Sequence, residues 1–255
     1  MKETKIVTVT ENNISEHQPT CFLNPKNVGY QIKKDWLIKR FSEGMKIKLL
    51  YLEVENKPVG YIEYVPGEYA WRAVDASGYM FIHCIWISKN KYKEMGYASQ
   101  LIKECEIDAK DGKMNGVAVV TSEGPFMAGK DVFIKNGFKS IASVKPSFEL
   151  MIKSFNKGPV PKIKDWEAQL SKYKGLNIVY SKQCPWVIRF MDEVDEIIKK
   201  EGLKIKITEL KTPKDAQNAP SFYATFSFIN DGKLLVDHYI STTRFKNIIK
   251  KEIKS

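Results

Sequence analysis

Cysteine is scarce and scattered. Cys21, Cys84, Cys105 and Cys184 are the four in 255 residues, and they form neither a Cys-x-x-Cys pair nor a cluster with any of the three histidines. That spacing excludes a zinc ribbon and a disulfide framework, so no metal is expected and reduced thiols in the cytoplasm are. Long apolar runs are missing as well. No stretch approaches a membrane span, and Met1-Lys2-Glu3-Thr4-Lys5 leads directly into alternating Ile6, Val7 and Val9 rather than into a signal-type apolar core. The expectation is a soluble protein with no membrane partner. A concentrated basic tract is also lacking: 41 Lys and Arg against 30 Asp and Glu give a net charge of +11, but the lysines are spread over the whole length. The run Lys199-Lys200-Glu201-Gly202-Leu203-Lys204 is short and broken by acid, which argues against nucleic acid as a partner. A diffuse positive surplus still favours anionic ligands.

What is present suffices for two domains. Hydrophobic residues make up 43% of the chain, enough for cores at this length. Gly158, Pro159 and Pro161 interrupt every periodicity, so a first domain is expected over 1–155, a linker over 156–164 and a second domain over 165–255. The first reads as mixed α/β. A strand over Lys5–Thr10 and a helix over Gln31–Phe41 precede an antiparallel pair, Lys46–Val54 and Val59–Val65. Tyr79–Ile87 is almost wholly apolar, as a strand covered on both faces must be. A helix over 99–110, a strand over Val117–Thr121, a short helix near Lys130–Lys135 and strands around 138–144 and 148–155 follow. The second domain reads as strand Leu176–Tyr180, helix Val187–Lys200 and strand Leu203–Leu210. Strands Phe222–Ile229 and Leu234–Tyr239 around Asn230-Asp231-Gly232-Lys233, with a helix from about Ser241, complete it.

Between the apolar strand and helix 99–110 lies Lys93-Glu94-Met95-Gly96-Tyr97-Ala98. A strand, a loop with small residues and a helix start form a phosphate-binding arrangement, because the new helix offers unpaired N–H groups and a partial positive charge. Gly96 and Ala98 leave room for a pyrophosphate near the main chain. This segment resembles the acetyl-CoA loop, (Arg/Gln)-x-x-Gly-x-(Gly/Ala), of the GCN5-related N-acetyltransferases (GNAT), with Lys93 at the first position. Asp131-Val132-Phe133-Ile134-Lys135-Asn136-Gly137-Phe138 resembles the same family's later helix, which ends in Gly-Phe before a strand. The resemblance implies a GNAT-type mixed sheet with helices on both faces and acetyl-CoA as the acetyl donor. It also implies a cofactor site at Trp86, Ile87, Lys93, Glu94, Met95, Gly96, Tyr97, Ala98 and Ser99, and a small-molecule amine as acceptor.

Acetyl transfer needs a deprotonated amine and a route for protonating the departing thiolate. His83, with a side chain that titrates near neutrality, is a candidate base or else a hydrogen-bonded core histidine. Cys84 beside it is expected to be an inert core residue, and strict alternation would point the two to opposite faces unless a bulge intervenes. In the related enzymes the acid is often a tyrosine in the helix before Gly-Phe. Here that position holds Phe133, so another group within reach, such as Tyr97, Tyr92 or Ser122, serves, or the thiolate leaves unaided, or the chemistry is lost or altered. Trp71 and Arg72, between two strands, are candidates for shaping the acceptor site, Arg72 as a partner for a carboxylate.

The tail resembles a thioredoxin-like domain through Cys184-Pro185 at a strand-to-helix turn, Ala219-Pro220 where thioredoxins carry a cis-proline, and the closing hairpin and helix. Val187 replaces the second cysteine of that motif. Cys184 would be a single reactive thiol, favoured by the positive end of its helix. The whole combination resembles YoaP-type acetyltransferases. The alternative expectation is a thiol-binding or thiol-disulfide protein that uses Cys184, with a noncatalytic first domain sensing CoA.

Overall fold

A computed structural model of the chain describes residues 3–20, 23–88, 90–124 and 127–253; Cys21 lies outside the described residues. In chain order the elements are β1 Thr4–Val9, α1 Val28–Phe41, β2 Lys46–Leu52, β3 Gly60–Pro66, β4 Val74–Asp75, β5 Tyr79–Ile87, α2 Tyr97–Asp111, β6 Gly116–Ser122 and α3 Lys130–Lys135. There follow β7 Lys139–Val144, β8 Phe148–Ser154, β9 Lys162–Ile163, α4 Trp166–Leu170, β10 Leu176–Ser181 and α5 Pro185–Lys200. The chain ends with β11 Ile205–Leu210, α6 Pro213–Gln217, β12 Phe226–Asn230, β13 Lys233–Val236 and α7 Thr242–Glu252.

The chain forms two compact units that are not simple halves. One comprises residues 1–22, 37–70 and 75–163; the other comprises 23–36, 71–74 and 164–255. The change at 163/164 lies at the Pro- and Gly-bearing stretch. The inclusion of 23–36 and 71–74 in the second unit departs from the linear division 1–155, 156–164 and 165–255, and no composition shift marks either segment.

The first unit is built on a seven-stranded sheet in the order β1-β2-β3-β5-β6-β8-β7. The β5–β6 pair is parallel and its other neighbours are antiparallel. β6 is buried along its whole length and β5 along most of it, which explains their unbroken apolar sequences. Leu101, Ile102, Cys105 and Ala109 recur at helical spacing on α2 and pack with Ile62, Tyr64, Ile82, Val117 and Val119 of the sheet. Burying each large apolar side chain there stabilises the fold by about 1.5–3 kcal/mol.

The second unit has a four-stranded sheet in the order β11-β10-β12-β13. β10 and β11 run parallel, as a strand–helix–strand crossover requires, while β12 is antiparallel to β10 and β13 to β12. Val187, Phe190 and Val194 of α5 share one core with Phe245 and Ile249 of α7 and with Ile178, Phe226 and Phe228. The expected strand from Phe222 begins only at Phe226, because Ala224 takes a left-handed φ of 59° that no ladder accommodates. Ala219-Pro220 does not supply the expected cis bond: among the described residues the cis peptide is Lys145-Pro146.

Candidate functional site

The register of β5 is where the first unit becomes chemically specific. Glu63 of β3 stands opposite Cys84, but the next pair is Tyr64 with Ile82, so His83 is an extra residue, a bulge. Strict alternation is therefore broken at this point. The His83 side chain is wholly buried, with Nδ1 3.4 Å from Oε1 of Glu63, whose side chain is 2% exposed. Tyr61 donates from its hydroxyl to Oε2 of the same carboxylate at 2.5 Å. Phe81 packs edge-on to the imidazole, with ring centroids 5.7 Å apart. Cys84 is half-buried and reduced.

Beyond the bulge the sheet opens. The parallel ladder between β5 and β6 runs from Tyr79 and Gly116 to Ile82 and Val119 and stops. β5 continues to Ile87 against β3, and β6 continues to Ser122 against β8. Two parallel strands that part at their carboxyl ends create a crevice of the kind in which α/β sheets bind ligands. Trp86, 39% exposed, and half-buried Ile87 stand at this end of β5.

The chain reaches α2 through an exposed loop, Lys93, Glu94, Met95 and Gly96. Glu94 and Gly96 have φ of 64° and 80°, and Gly96 caps the helix. A Cβ on Gly96 would meet nothing within 4 Å, so the space over this helix start is open. The first intrahelical bond runs from the Gln100 amide to the Gly96 carbonyl at 3.1 Å, which leaves the amides of Tyr97, Ala98 and Ser99 without intrahelical partners. Ala98 and Ser99 are half-buried, and the Ser99 hydroxyl accepts from the Asn136 side chain at 3.0 Å. Tyr97 turns inward: it is 1% exposed, packs against Tyr92, and its hydroxyl is buried without a hydrogen-bond partner.

The remaining candidates are distributed elsewhere. Phe133 is fully buried. Tyr92 donates its hydroxyl to Glu55, and Ser122 shares a 2.7 Å hydrogen bond with Ser147. Trp71 and Arg72, the candidates for shaping the acceptor site, belong to the second unit. Trp71 meets Trp36 edge-on at 5.0 Å. Arg72 is 1% exposed, donates to the Trp71 carbonyl and to Oε1 of Gln183 at 2.6 and 2.5 Å, and stacks over Tyr223 at 4.0 Å. With those partners its guanidinium holds the fold together and is not displayed to an acceptor. Cys184 is the half-buried N-cap of α5, with Pro185 at the first helical position. Among the described residues, no group of three or more His, Cys, Asp and Glu side chains could hold a metal, and no helix is long and apolar enough to cross a membrane.

Two residues of this site escape a reading by motif. Tyr61 and Glu63 sit in an apolar strand and belong to no signature. The available signal is the ionisable Glu63 inside Gly60-Tyr61-Ile62-Glu63-Tyr64-Val65, since a carboxylate is seldom fully buried without a partner.

The model of the acetyltransferase (GNAT) family matches residues 12–137, and the YoaP-like model matches residues 204–247. The chain is 28% identical over 250 residues to YoaP of Bacillus subtilis strain 168, described as an uncharacterized N-acetyltransferase, covering 95% of this chain and 97% of that protein. Among solved structures it is similar to the PaiA N-acetyltransferase of Thermoplasma acidophilum in complex with coenzyme A, at 14% identity and a TM-score of 0.43, over 60% of this chain and 99% of that one. It is also similar to a GNAT family acetyltransferase of Brucella melitensis in complex with acetyl-CoA, at 12% identity and a TM-score of 0.41, over 64% and 96% of the two chains. The chain is thus similar over residues 12–137 to the acetyltransferase (GNAT) family, and over almost its whole length to a protein described as an N-acetyltransferase.

Proposed function

We propose that this protein transfers an acetyl group from acetyl-CoA to the primary amine of a small-molecule acceptor in the cytoplasm. The observation that carries the reading is the parting of β5 from β6 after Ile82 and Val119, beside a helix start whose Gly96 leaves open space. Backbone at Trp86 and Ile87 borders the crevice, and the amides from Glu94 to Ser99 hold the pyrophosphate, with Lys93 as a nearby cation. The reduced thiols Cys84, Cys105 and Cys184 support the intracellular assignment.

Acetyl-CoA, when bound, supplies an activated thioester whose thiol, with an ordinary pKa of about 8.5, departs readily as thiolate. His83 is the base. It accepts one proton from the acceptor ammonium, through an intervening water because the ring is buried, and the freed amine forms the new C–N bond as the C–S bond breaks. The Tyr97 hydroxyl, buried without a hydrogen-bond partner, is the donor that returns a proton to the thiolate.

The second unit is a thioredoxin-like domain in this reading. Its support is the parallel β10–β11 pair, the antiparallel β12 and β13, and Cys184 at the start of α5. A lone thiol at a helix N-terminus fits binding of a thiol-bearing partner better than dithiol exchange, since Val187, at the position of a resolving cysteine, is fully buried in the core.

The test is calorimetric titration with acetyl-CoA, followed by thiol release with panels of amino acids, polyamines and amine antibiotics. Wild-type protein and Cys184→Ser should bind and turn over alike. Absence of acetyl-CoA binding overturns the reading, and loss of turnover in Cys184→Ser favours the thiol-based alternative.

A further inference from the structure

We infer that the groove between β13 and α7 in the second unit is a docking site for an extended acidic segment of a partner protein, one that carries a carboxylate two residues from an apolar side chain. The inference goes beyond the acetyltransferase reading and does not rest on it.

The groove has a volume of about 260 Å³, and its lining includes Leu234 and Leu235 of β13 and Arg244, Asn247, Ile248 and Lys251 of α7. That volume lies below the roughly 300–1,000 Å³ of small-molecule pockets, so it seats one or two side chains of a larger ligand. Arg244, Asn247, Ile248 and Lys251 follow one another at helical spacing and form a single stripe. Phe245 and Ile249, on the adjoining stripe, are fixed in the core of the unit, which sets the roll of the helix. β13 ends the sheet order β11-β10-β12-β13. Among the described residues its outer edge makes no backbone hydrogen bond, so it is open to an added strand.

The charges select the partner. The groove is lined by three cations, Lys233, Arg244 and Lys251, against one carboxylate, Glu252. Glu252 engages Lys233 at 2.7 Å and Lys251 at 3.8 Å. Arg244 and Asn247 are exposed, and among the described residues neither the guanidinium nor the carboxamide has a hydrogen-bond or ion-pair partner. Arg244 also stands in the first turn of α7, where no acidic residue offsets it and the positive end of the helix repels a cation. Stability of the fold gives no reason for an arginine there. An incoming carboxylate does, because it meets a guanidinium, an amide donor and the helix dipole together.

The spacing then defines the segment. Arg244 and Ile248 are separated by four residues of α7, a rise of about 6 Å. Alternate residues of an extended strand are about 6.6 Å apart and face the same way. A carboxylate seated on Arg244 therefore brings the side chain two residues away onto half-buried Ile248 and Leu234. Glu252, about two turns on from Arg244, disfavours a second carboxylate at the far end.

The experiment selects short random peptides, displayed on phage, against the full-length protein and then measures the most enriched one by fluorescence anisotropy. Expected are sequences with Asp or Glu two positions from Leu, Ile or Val. Arg244→Glu should weaken the enriched peptide by about tenfold or more, yet leave the thermal midpoint unchanged or raised, since it places an acid in the first turn. Asn247→Asp, a second charge change at an exposed position, should weaken binding as well and decides the matter if Arg244→Glu does not fold. Lys246→Ala removes an exposed cation of α7 that does not line the groove and should leave binding nearly unchanged. No enrichment, enrichment without the acidic–apolar spacing, or equal losses from the Arg244 and Lys246 variants overturns the inference. So does an oligonucleotide that competes as well as the unlabelled peptide, which would make α7 a general surface for polyanions.

Discussion

Phe133 meets Phe138 edge-to-face, with ring centroids 5.4 Å apart and planes at 70°. Phe133 stands where the family resemblance would place a tyrosine, and it is fully buried in the core of the first unit. A hydroxyl added to that ring would enter an apolar environment. Phe133→Tyr should therefore lower stability by about 1–3 kcal/mol and leave the acetylation rate no higher than wild type. Denaturant midpoints and initial rates on the two proteins check this; a faster Phe133→Tyr would mean that the ring edge faces the reacting thiolate.

Gly96 separates fold from binding. Its φ of 80° penalises any side chain, yet a Cβ there meets nothing within 4 Å, so the cost in the free protein is conformational only, about 1 kcal/mol. Gly96→Ala should show that small loss. Gly96→Glu should stay folded and lose acetyl-CoA binding by calorimetry, because its carboxylate occupies and repels from the same space as the pyrophosphate. Tight binding by Gly96→Glu would remove the helix start from the cofactor site.

Much of this is legible in the residues, and what is not has a physical reason. The apolar run Tyr79–Ile87 and the Gly96 loop identify strand, turn and helix because each is a local property: burial on both faces, a φ open to glycine, a free helix end. The bulge at His83 is not local, since it exists only in the register between β3 and β5, and so spacing cannot attach Glu63 and Tyr61 to His83. Arg72 is illegible for the same reason. Its role depends on Gln183, which lies 111 residues away in the chain. The short helices α4 and α6 escape a reading by periodicity because Trp166–Leu170 and Pro213–Gln217 are too brief for a pattern, although Thr212 and Asp215 form a capping box at the latter.

Arg72 makes the buried polar partnership of the second unit testable. Its guanidinium is held by two carbonyl oxygens and the Tyr223 face at once, a planar fork that an ammonium cannot reproduce. Arg72→Lys should destabilise the protein by about 2–4 kcal/mol, since a hydrogen-bonded buried charge is replaced by one less well satisfied. Calorimetric unfolding and the fluorescence of the neighbouring tryptophans provide the readout. Near-wild-type stability with a raised KM for acidic acceptors would instead restore Arg72 to a substrate-binding role.

Asp108 gives a pH dependence whose sign can be worked out. Burial by itself would raise its pKa, but the Tyr64 hydroxyl and the ammonium groups of Lys48 and Lys46, at 3.5 and 3.2 Å, outweigh burial and hold it below the ordinary carboxylate value. Tyr64 itself is driven far upward, chiefly by burial, so it remains a donor throughout. A carboxyl whose folded pKa is depressed contributes stability above its unfolded pKa of about 3.9. That contribution is lost as pH falls through the lower folded value. Asp108→Asn should therefore be less stable than wild type by about 1–2 kcal/mol at pH 7, a figure kept modest because Lys46 is 42% exposed. The gap should hold at pH values above the unfolded pKa, narrow as pH falls below it and close once pH lies below the lower folded value. Urea denaturation of both proteins across that range measures it; a gap independent of pH would show that the amide variant loses packing or hydrogen-bond geometry and not charge, and would take the Asp108–Tyr64–Lys48 group out of the acid response of the fold.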